Sequence, residues 1–593
     1  MKLKLVSAIL LTCAASVVSA EGYRLFHWIE LIGFDNTRPD YGVSAHLGKM
    51  DKKPEVISLL LDDDQLMLTH DSARTADFAF PARNCSYGAR PFNSERHRQT
   101  WTSRQLKGLV AELRRQGVRV FASFFAHHEH YPVAPARAEE VGNRLAAFLS
   151  DYGFDGLHGS DGYAPPRYIL PECEGKERVR IAREYARRYA DNWKVIVSRL
   201  KPKGLSCWLN TCWTRDPYEA LYRYGVDYRL LAKAGIDGFI VESSGAAQSI
   251  IRNFDFGPSA PIDRSMAMLM RLKACVPEVP MVALHAINDD WEGWSVLRHG
   301  PTRGASEAYA LGGVFYGRKR ALQGMLACLA DGISRDDWKR LNRMWERAFA
   351  PAGEPMGLRV VWSDRAFDAE FDDLVVTRDA SSNTILSELI RRGAPINASI
   401  SVADALADKT LPILLINPEF FPPDELAALR DRLVNVVEIG RGARLASGET
   451  AADLRYVPIP EGTLPFPGMP NETSCYWKKP IPENMPPEKA YAEPVFRAFL
   501  ASPYTSETKG LRSFCYRLKG GRIAVFARNE DATYLPFSFD FFVRDFSISD
   551  VKVHTASPSL PLATSLRGKI APHDTVFFSV GEHEIPRPDE PWD

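Results

Sequence analysis

The 593-residue chain has no surplus charge of either sign: Lys plus Arg and Asp plus Glu each number 74. A basic face for nucleic acid or anionic lipid is therefore not expected, and neutral ligands fit the balance. After the N-terminus no apolar run is long enough to span a bilayer. Close cysteine pairs of the kind that build zinc sites are missing as well. The nine cysteines are scattered instead: Cys13, Cys85, Cys173, Cys207, Cys212, Cys275, Cys328, Cys475 and Cys515. There is no glycine-rich phosphate fingerprint after the first strand, no long repeat and no low-complexity tract.

The N-terminus has its own signature. Lys2 and Lys4 precede an apolar stretch from Leu5 to Leu11, and Val18-Ser19-Ala20 supplies small residues before Glu21. This is the layout of a secretory signal peptide over residues 1–20, too short to be an anchor. The expected location is therefore periplasmic or secreted, where Cys85 and Cys173 are candidates for a bridge between two loops. Cys207 and Cys212 read as small apolar residues flanking a buried strand.

From Tyr23 to about Phe349, short β-branched or aromatic runs alternate with helix-like segments. The expected strands are Arg24–Ile32, Glu55–Leu61, Val118–Phe125, Gly156–Ser160, Leu205–Asn210, Gly238–Glu242, Met281–Ala286 and Gly313–Tyr316. Eight such units predict an α/β fold, a (β/α)8 barrel over residues 21–352. Thr102-x-x-Gln105 is a capping box, and the apolar stripe Val179, Ala182, Tyr185, Ala186, Tyr189 and Trp193 predicts a helix over Glu174–Leu200. Pro351 to Pro355 reads as a linker. A flavodoxin-like α/β domain follows over 356–450, then a Pro-rich connecting segment over 451–495, then short strands over 496–593 that predict an antiparallel β-sandwich.

Catalytic side chains of such barrels stand at the carboxyl ends of the strands. After the fourth strand comes Ser160-Asp161-Gly162, and after the sixth Glu242-Ser243-Ser244. Asp155 and Asp237, at the opposite strand ends, read as structural turn residues. Asp161 and Glu242 are thus the candidate catalytic pair. Two carboxyls suit glycosidic cleavage, because one protonates the leaving oxygen while the other attacks the anomeric carbon or activates water. Candidate substrate-binding residues are Trp28, Glu30, His127, His128, Asn210, Trp213, His285, Asp289 and Trp291, with Tyr163, Arg215 and Trp294 nearby. Aromatic faces stack on sugar rings, and their polar edges meet hydroxyls. Asp62 to Asp64 and Asp290 are further acids at the mouth. No cofactor is expected and no metal ligand set is assigned; the partner is a carbohydrate. Two other classes stay open. One is a carbohydrate-binding barrel without catalysis, and the other a metal-dependent hydrolase using His128, His130 and Asp289. A polysaccharide lyase is less favoured, since no basic cluster for uronates stands out.

The whole layout resembles retaining (β/α)8 glycoside hydrolases with a β-galactosidase-like order of domains, as in glycoside hydrolase family 42. Leu411–Leu433 looks like the strand-helix unit of that family's middle domain, which implies a homo-oligomer formed through it. The strand-end acids depart from that family's pattern, an Asn-Glu pair after the fourth strand and a Glu after the seventh. Asp after the fourth and Glu after the sixth look more like α-galactosidase-type barrels. That similarity implies Asp161 as nucleophile and Glu242 as acid/base, and it leaves the sugar and linkage open.

Overall fold

The computed structural model describes most of residues 22–581. Outside the description lie 1–21, 64, 73–78, 82–98, 126–132, 161–162, 164–169, 172, 213, 215, 243–261, 289–295, 300, 378–380, 433–435, 441–455, 459–488, 507, 509, 532, 542–549, 554–564, 573 and 582–593.

Eight parallel strands close into a barrel: β1 (Arg24–Glu30), β2 (Val56–Asp63), β3 (Arg119–Phe125), β4 (Gly156–Gly159), β5 (Ser206–Asn210), β6 (Gly238–Val241), β7 (Met281–Ala286) and β8 (Gly324–Cys328). Alternation along each strand sends one set of side chains inward and the other to the helices. Phe26, Trp28, Val56, Leu60, Phe121, Trp208, Ile240, Val282, Leu284, Leu326 and Cys328 fill the interior as a packed core. Glycine makes room for the largest of them: a Cβ on Gly238 would stand 2.5 Å from the Trp208 ring. The barrel is solid below its mouth.

Local chemistry fixes how the helices feed the strands. Thr102 and Gln105 form the reciprocal capping box that starts the helix Ser103–Arg115. The helix Pro135–Tyr152 ends at Gly153, whose φ of 79° few other residues adopt. Asp155 then accepts the Val120 amide at 2.9 Å, and Asp237 accepts the Cys207 amide at 2.7 Å. The two aspartates are equivalent staples at the amino ends of β4 and β6. The helix Gly175–Leu200 buries Ala182, Ala186, Tyr189 and Trp193.

The eighth strand is not the expected one. Gly313–Tyr316 and Gly324–Cys328 are both short apolar runs opened by glycine, and periodicity cannot choose between them. Pairing decides. Arg24 sits opposite Gly324, where an added Cβ would fall 1.8 Å from the Arg24 carbonyl oxygen, so only glycine closes this seam. Phe315–Tyr316 instead forms a short antiparallel pair with Lys319–Arg320 and joins the next sheet beside Ala398–Ser401.

That second sheet has five successive parallel strands: Arg359–Trp362, Ala398–Ser401, Ile413–Ile416, Val436–Gly440 and Tyr456–Pro458. Numbered in chain order they lie 2-1-3-4-5, the flavodoxin-like arrangement. The helix Ile262–Cys275 is buried along its length between barrel and sheet. Ser387 reaches its Asp263 at 3.1 Å, and Ser399 its Met270 carbonyl at 3.0 Å.

Two antiparallel sheets complete the chain, one of five strands and one of three. They pack through Leu511, Cys515, Val525, Phe537, Phe539, Ile570 and Phe578. The segment read as a linker is in fact a strand: Ala352–Met356 pairs antiparallel with Leu511–Leu518 at the edge of the larger sheet. Gly353 and Pro355 suited a loop, but an edge strand with a register shift tolerates both. The sandwich docks on the barrel through Phe577 stacked on Tyr309 at 4.4 Å, and through Arg528 donating to Ser306 at 2.6 Å. Cys173 is a free thiol beside the Pro171 carbonyl, and Cys85, its candidate partner, lies outside the described residues. Among the described residues no helix is long and apolar enough to cross a membrane.

Candidate active site

The inward alternation that packs the barrel core changes character toward the carboxyl ends of the strands. Ser58 follows Val56 on β2, His158 follows Gly156 on β4, and Asn210 follows Trp208 on β5. On β6 the inward run Gly238, Ile240 continues to Glu242, one residue beyond the strand. All four polar side chains are buried, with Glu242 only 1% exposed. Burial of this kind is costly unless every group finds a partner.

The partners are each other. Ser58 Oγ lies 2.7 Å from His158 Nδ1, and His158 Nε2 lies 2.7 Å from Asn210 Oδ1. Asn210 Nδ2 then donates to Glu242 Oε2 at 2.9 Å and to Ser160 Oγ at 3.2 Å. Thr211 Oγ1 accepts the Glu242 amide at 3.0 Å, holding the backbone that carries the carboxyl. Burial pulls His158 down to about 4, partly opposed by its bond to Asn210, so the ring is neutral around pH 7. Trp28 packs against this ring, with centroids 4.8 Å apart, and is itself fully buried. Trp28 therefore forms the floor beneath the polar group and offers no open face on which a sugar could stack.

A second polar cluster borders β1, β7 and β8. Glu30 continues the inward series Phe26, Trp28 and is 2% exposed. Asp331 Oδ1 accepts the Glu30 amide at 3.1 Å, and the Asp331 carbonyl accepts from Asn288 Nδ2 at 3.0 Å. Gly33 leaves the space for this carboxyl, since a Cβ there would stand 2.5 Å from Asp331 Oδ1.

Other expected positions lie elsewhere. His285 points away from the interior because Leu284 and Ala286 occupy the inward places on β7. It accepts from Trp345 Nε1 at 3.1 Å on the outer helix, and burial lowers its pKa to about 3. A substrate-binding role at the mouth does not fit that orientation. Tyr163 is buried against Trp193 at 6.0 Å. Asp161, His127, His128, His130, Trp213, Arg215, Asp289, Asp290, Trp291 and Trp294 fall outside the described residues, as do Asp64 and the side chains of Asp62 and Asp63. Among the described residues no group of three or more His, Cys, Asp and Glu gathers to hold a metal.

Acids and aromatics at strand ends do not point to Ser58, His158 or Asp331. Counting by twos inward along each strand finds the first two directly. Asp331 was hidden by the misplaced eighth strand: Asp331-Gly332 follows Gly324–Cys328 much as Asp161-Gly162 follows the fourth strand.

No protein-family model and no curated protein matches the sequence. Solved structures do. A β-galactosidase from the psychrophilic Marinomonas ef1 superposes with a TM-score of 0.53 at 10% identity, over 94% of this chain and 99% of that one. An exo-carrageenase of glycoside hydrolase family 42 from Bacteroides ovatus gives 0.44 at 11% identity, over 95% and 80%. A glycoside hydrolase family 18 chitinase from Pseudoalteromonas aurantia gives 0.32 at 11% identity, over 55% and 99%. The first of these shows a shared fold along nearly the whole chain.

Proposed function

We propose that the chain is a glycoside hydrolase acting on oligo- or polysaccharide, with Glu242 and Asp161 as its two working carboxyls. The observation that carries this reading is the setting of Glu242. A buried acid stands at the inward, carboxyl end of a barrel strand, its Oε2 held by a side-chain amide that is itself held from below. Folds spend polar burial of this kind where a charge must be kept in one place. The β-galactosidase with which the fold is shared adds a carbohydrate context.

In the proposed reaction one carboxyl donates a proton to the glycosidic oxygen as the bond to the anomeric carbon breaks. The other attacks that carbon, and water then releases the sugar as the first residue takes a proton back. Asp161 is assigned the attack and Glu242 the proton. Glu30 and Asn288 are proposed to meet sugar hydroxyls on the opposite rim. Export through a cleaved segment ending at Ala20 and self-association through the flavodoxin-like sheet belong to the same proposal. Sequencing the N-terminus of the mature protein and measuring its mass in solution test them.

The test of function is a panel of chromogenic α- and β-glycosides. Glu242→Gln and Asp161→Asn are each expected to cut turnover at least about a hundredfold on any glycoside the protein cleaves. If Glu242 is the acid, a substrate with a good leaving group partly restores Glu242→Gln. Full activity in either variant removes that residue from the mechanism. Sugar binding without sugar release by the unaltered protein would replace catalysis with recognition.

A further inference from the structure

The bonds beneath Glu242 run in one direction, and that direction has a consequence. An asparagine side chain has a donor end and an acceptor end that differ little in shape, so in isolation it can turn over. With its oxygen toward Glu242, Asn210 would set an acceptor against the carboxylate that remains once Glu242 has given up its proton. With its nitrogen there, it donates. Asn210 Oδ1 lies 2.7 Å from His158 Nε2, and with the amide in this orientation that nitrogen is the one that carries the proton. The ring is neutral, so Nδ1 must then be bare, and Ser58 Oγ at 2.7 Å is the hydroxyl that donates to it. Each group fixes the state of the next.

We infer that Ser58 and His158 are positioning residues for Glu242, locking the Asn210 amide so that its N–H points at the Glu242 carboxyl. The inference rests on the glycosidase reading only for its kinetic consequence; the proton arrangement stands without it. Three features of the setting support it. The four side chains come from four strands, β2, β4, β5 and β6, so the chain of bonds crosses the barrel and is not a by-product of one turn. Trp28 lies against the His158 ring and restricts its movement. The second Asn210 N–H goes to Ser160, so turning the amide over would break two donated bonds along with the His158 contact. The role of the group is thus distinct from proton transfer: His158 passes no proton to substrate and holds the orientation of a neighbour that holds the acid.

The experiment has a spectroscopic arm and a kinetic arm. In the full-length protein labelled with 15N-histidine, the His158 signal is assigned by its loss in His158→Phe. It should show a protonated Nε2 and a bare Nδ1, unchanged from pH 8 down to pH 6. Kinetically, on the best glycoside from the panel, His158→Phe should lower kcat roughly 10- to 100-fold with KM within about threefold, as expected when a reacting group is misplaced. His158→Gln, which can still offer an N–H toward Asn210, should recover most of that loss, and Ser58→Ala should lose less than His158→Phe. A protonated Nδ1, or a ring that takes up a second proton above pH 6, overturns the inference. So does a His158→Phe variant with unchanged kcat, or a loss in KM alone. If the unaltered protein cleaves no glycoside while the 15N pattern is as stated, the glycosidase reading fails and the locked amide survives.

Discussion

Glu370 offers the sharpest test of how the barrel and the flavodoxin-like sheet are held together. It lies on the helix Asp364–Thr377 and is 3% exposed. Its Oε1 accepts the Ser382 amide at 2.5 Å and Asn417 Nδ2 at 2.8 Å, while its Oε2 accepts the Tyr218 hydroxyl at 2.6 Å and Ser382 Oγ at 2.8 Å. Tyr218 belongs to the barrel's own helix Pro217–Tyr224, so one carboxyl joins two units of the chain. Hydrogen bonds to a charged group are worth about 1.5–3 kcal/mol each, but four donors sharing one acceptor do not add. Glu370→Leu leaves the buried Ser382 amide and Asn417 Nδ2 without this acceptor and the Tyr218 and Ser382 hydroxyls only each other, 3.0 Å apart, so at about 1–3 kcal/mol per unmet buried group the expected cost is about 3–5 kcal/mol. Glu370→Gln keeps one oxygen and should cost clearly less. Urea unfolding followed by tryptophan fluorescence measures both, with separate transitions fitted if the chain does not unfold in a single step. A double-mutant cycle with Tyr218→Phe should return a coupling of about 1–2 kcal/mol. A Glu370→Leu loss below about 1 kcal/mol, or equal losses for Leu and Gln, would refute the account of Glu370 as the shared acceptor.

Acid should destabilise the barrel before it reaches the usual carboxylate range. His27, His46, His158 and His285 are all buried, and burial is the first cause of the lowered pKa in each. Below about pH 6.5 the unfolded chain takes up protons that the folded one refuses, so stability is complete above that pH and declines below it. The slope is up to about 1.4 kcal/mol per pH unit for each histidine; a urea midpoint that stays level from pH 7 to pH 5 would contradict this. Gly324→Ala should open the β1–β8 seam and cost at least about 4 kcal/mol or the soluble fold itself. Gly353→Ala, whose added Cβ has no neighbour nearer than 3.6 Å, should stay within about 0.5 kcal/mol in the same urea titration. Equal outcomes for the two glycines would remove the close approach as the reason for Gly324.

Much of the architecture was legible because it rests on local rules. Seven of the eight barrel strands can be read as apolar runs between helix stops. The capping box at Thr102 and the staples at Asp155 and Asp237 follow from side-chain chemistry within or just beside one element. The 2-1-3-4-5 sheet is legible in kind, but Ala398–Ser401 is not: its Ser-rich sequence carries little apolar signal, and it forms because parallel neighbours flank it on both sides. The candidate site was half legible. The acid after β6 and Asn210 could be found by position, and Ser58 and His158 by counting inward, whereas their bonding to one another could not, since Ser58, His158 and Asn210 are separated by 100 and 52 residues.

The sequence by itself determined that this chain alternates strand and helix, that its strands carry an inward face, and that Glu242 ends one of them. Those are consequences of side-chain period and backbone stereochemistry, which act over a few residues. Only the tertiary structure decided which glycine-led run closes the barrel, that His285 faces outward, and that one amide is clamped between a histidine and a glutamate. Those outcomes depend on which strands become neighbours, and adjacency across a closed sheet is set by packing over hundreds of residues.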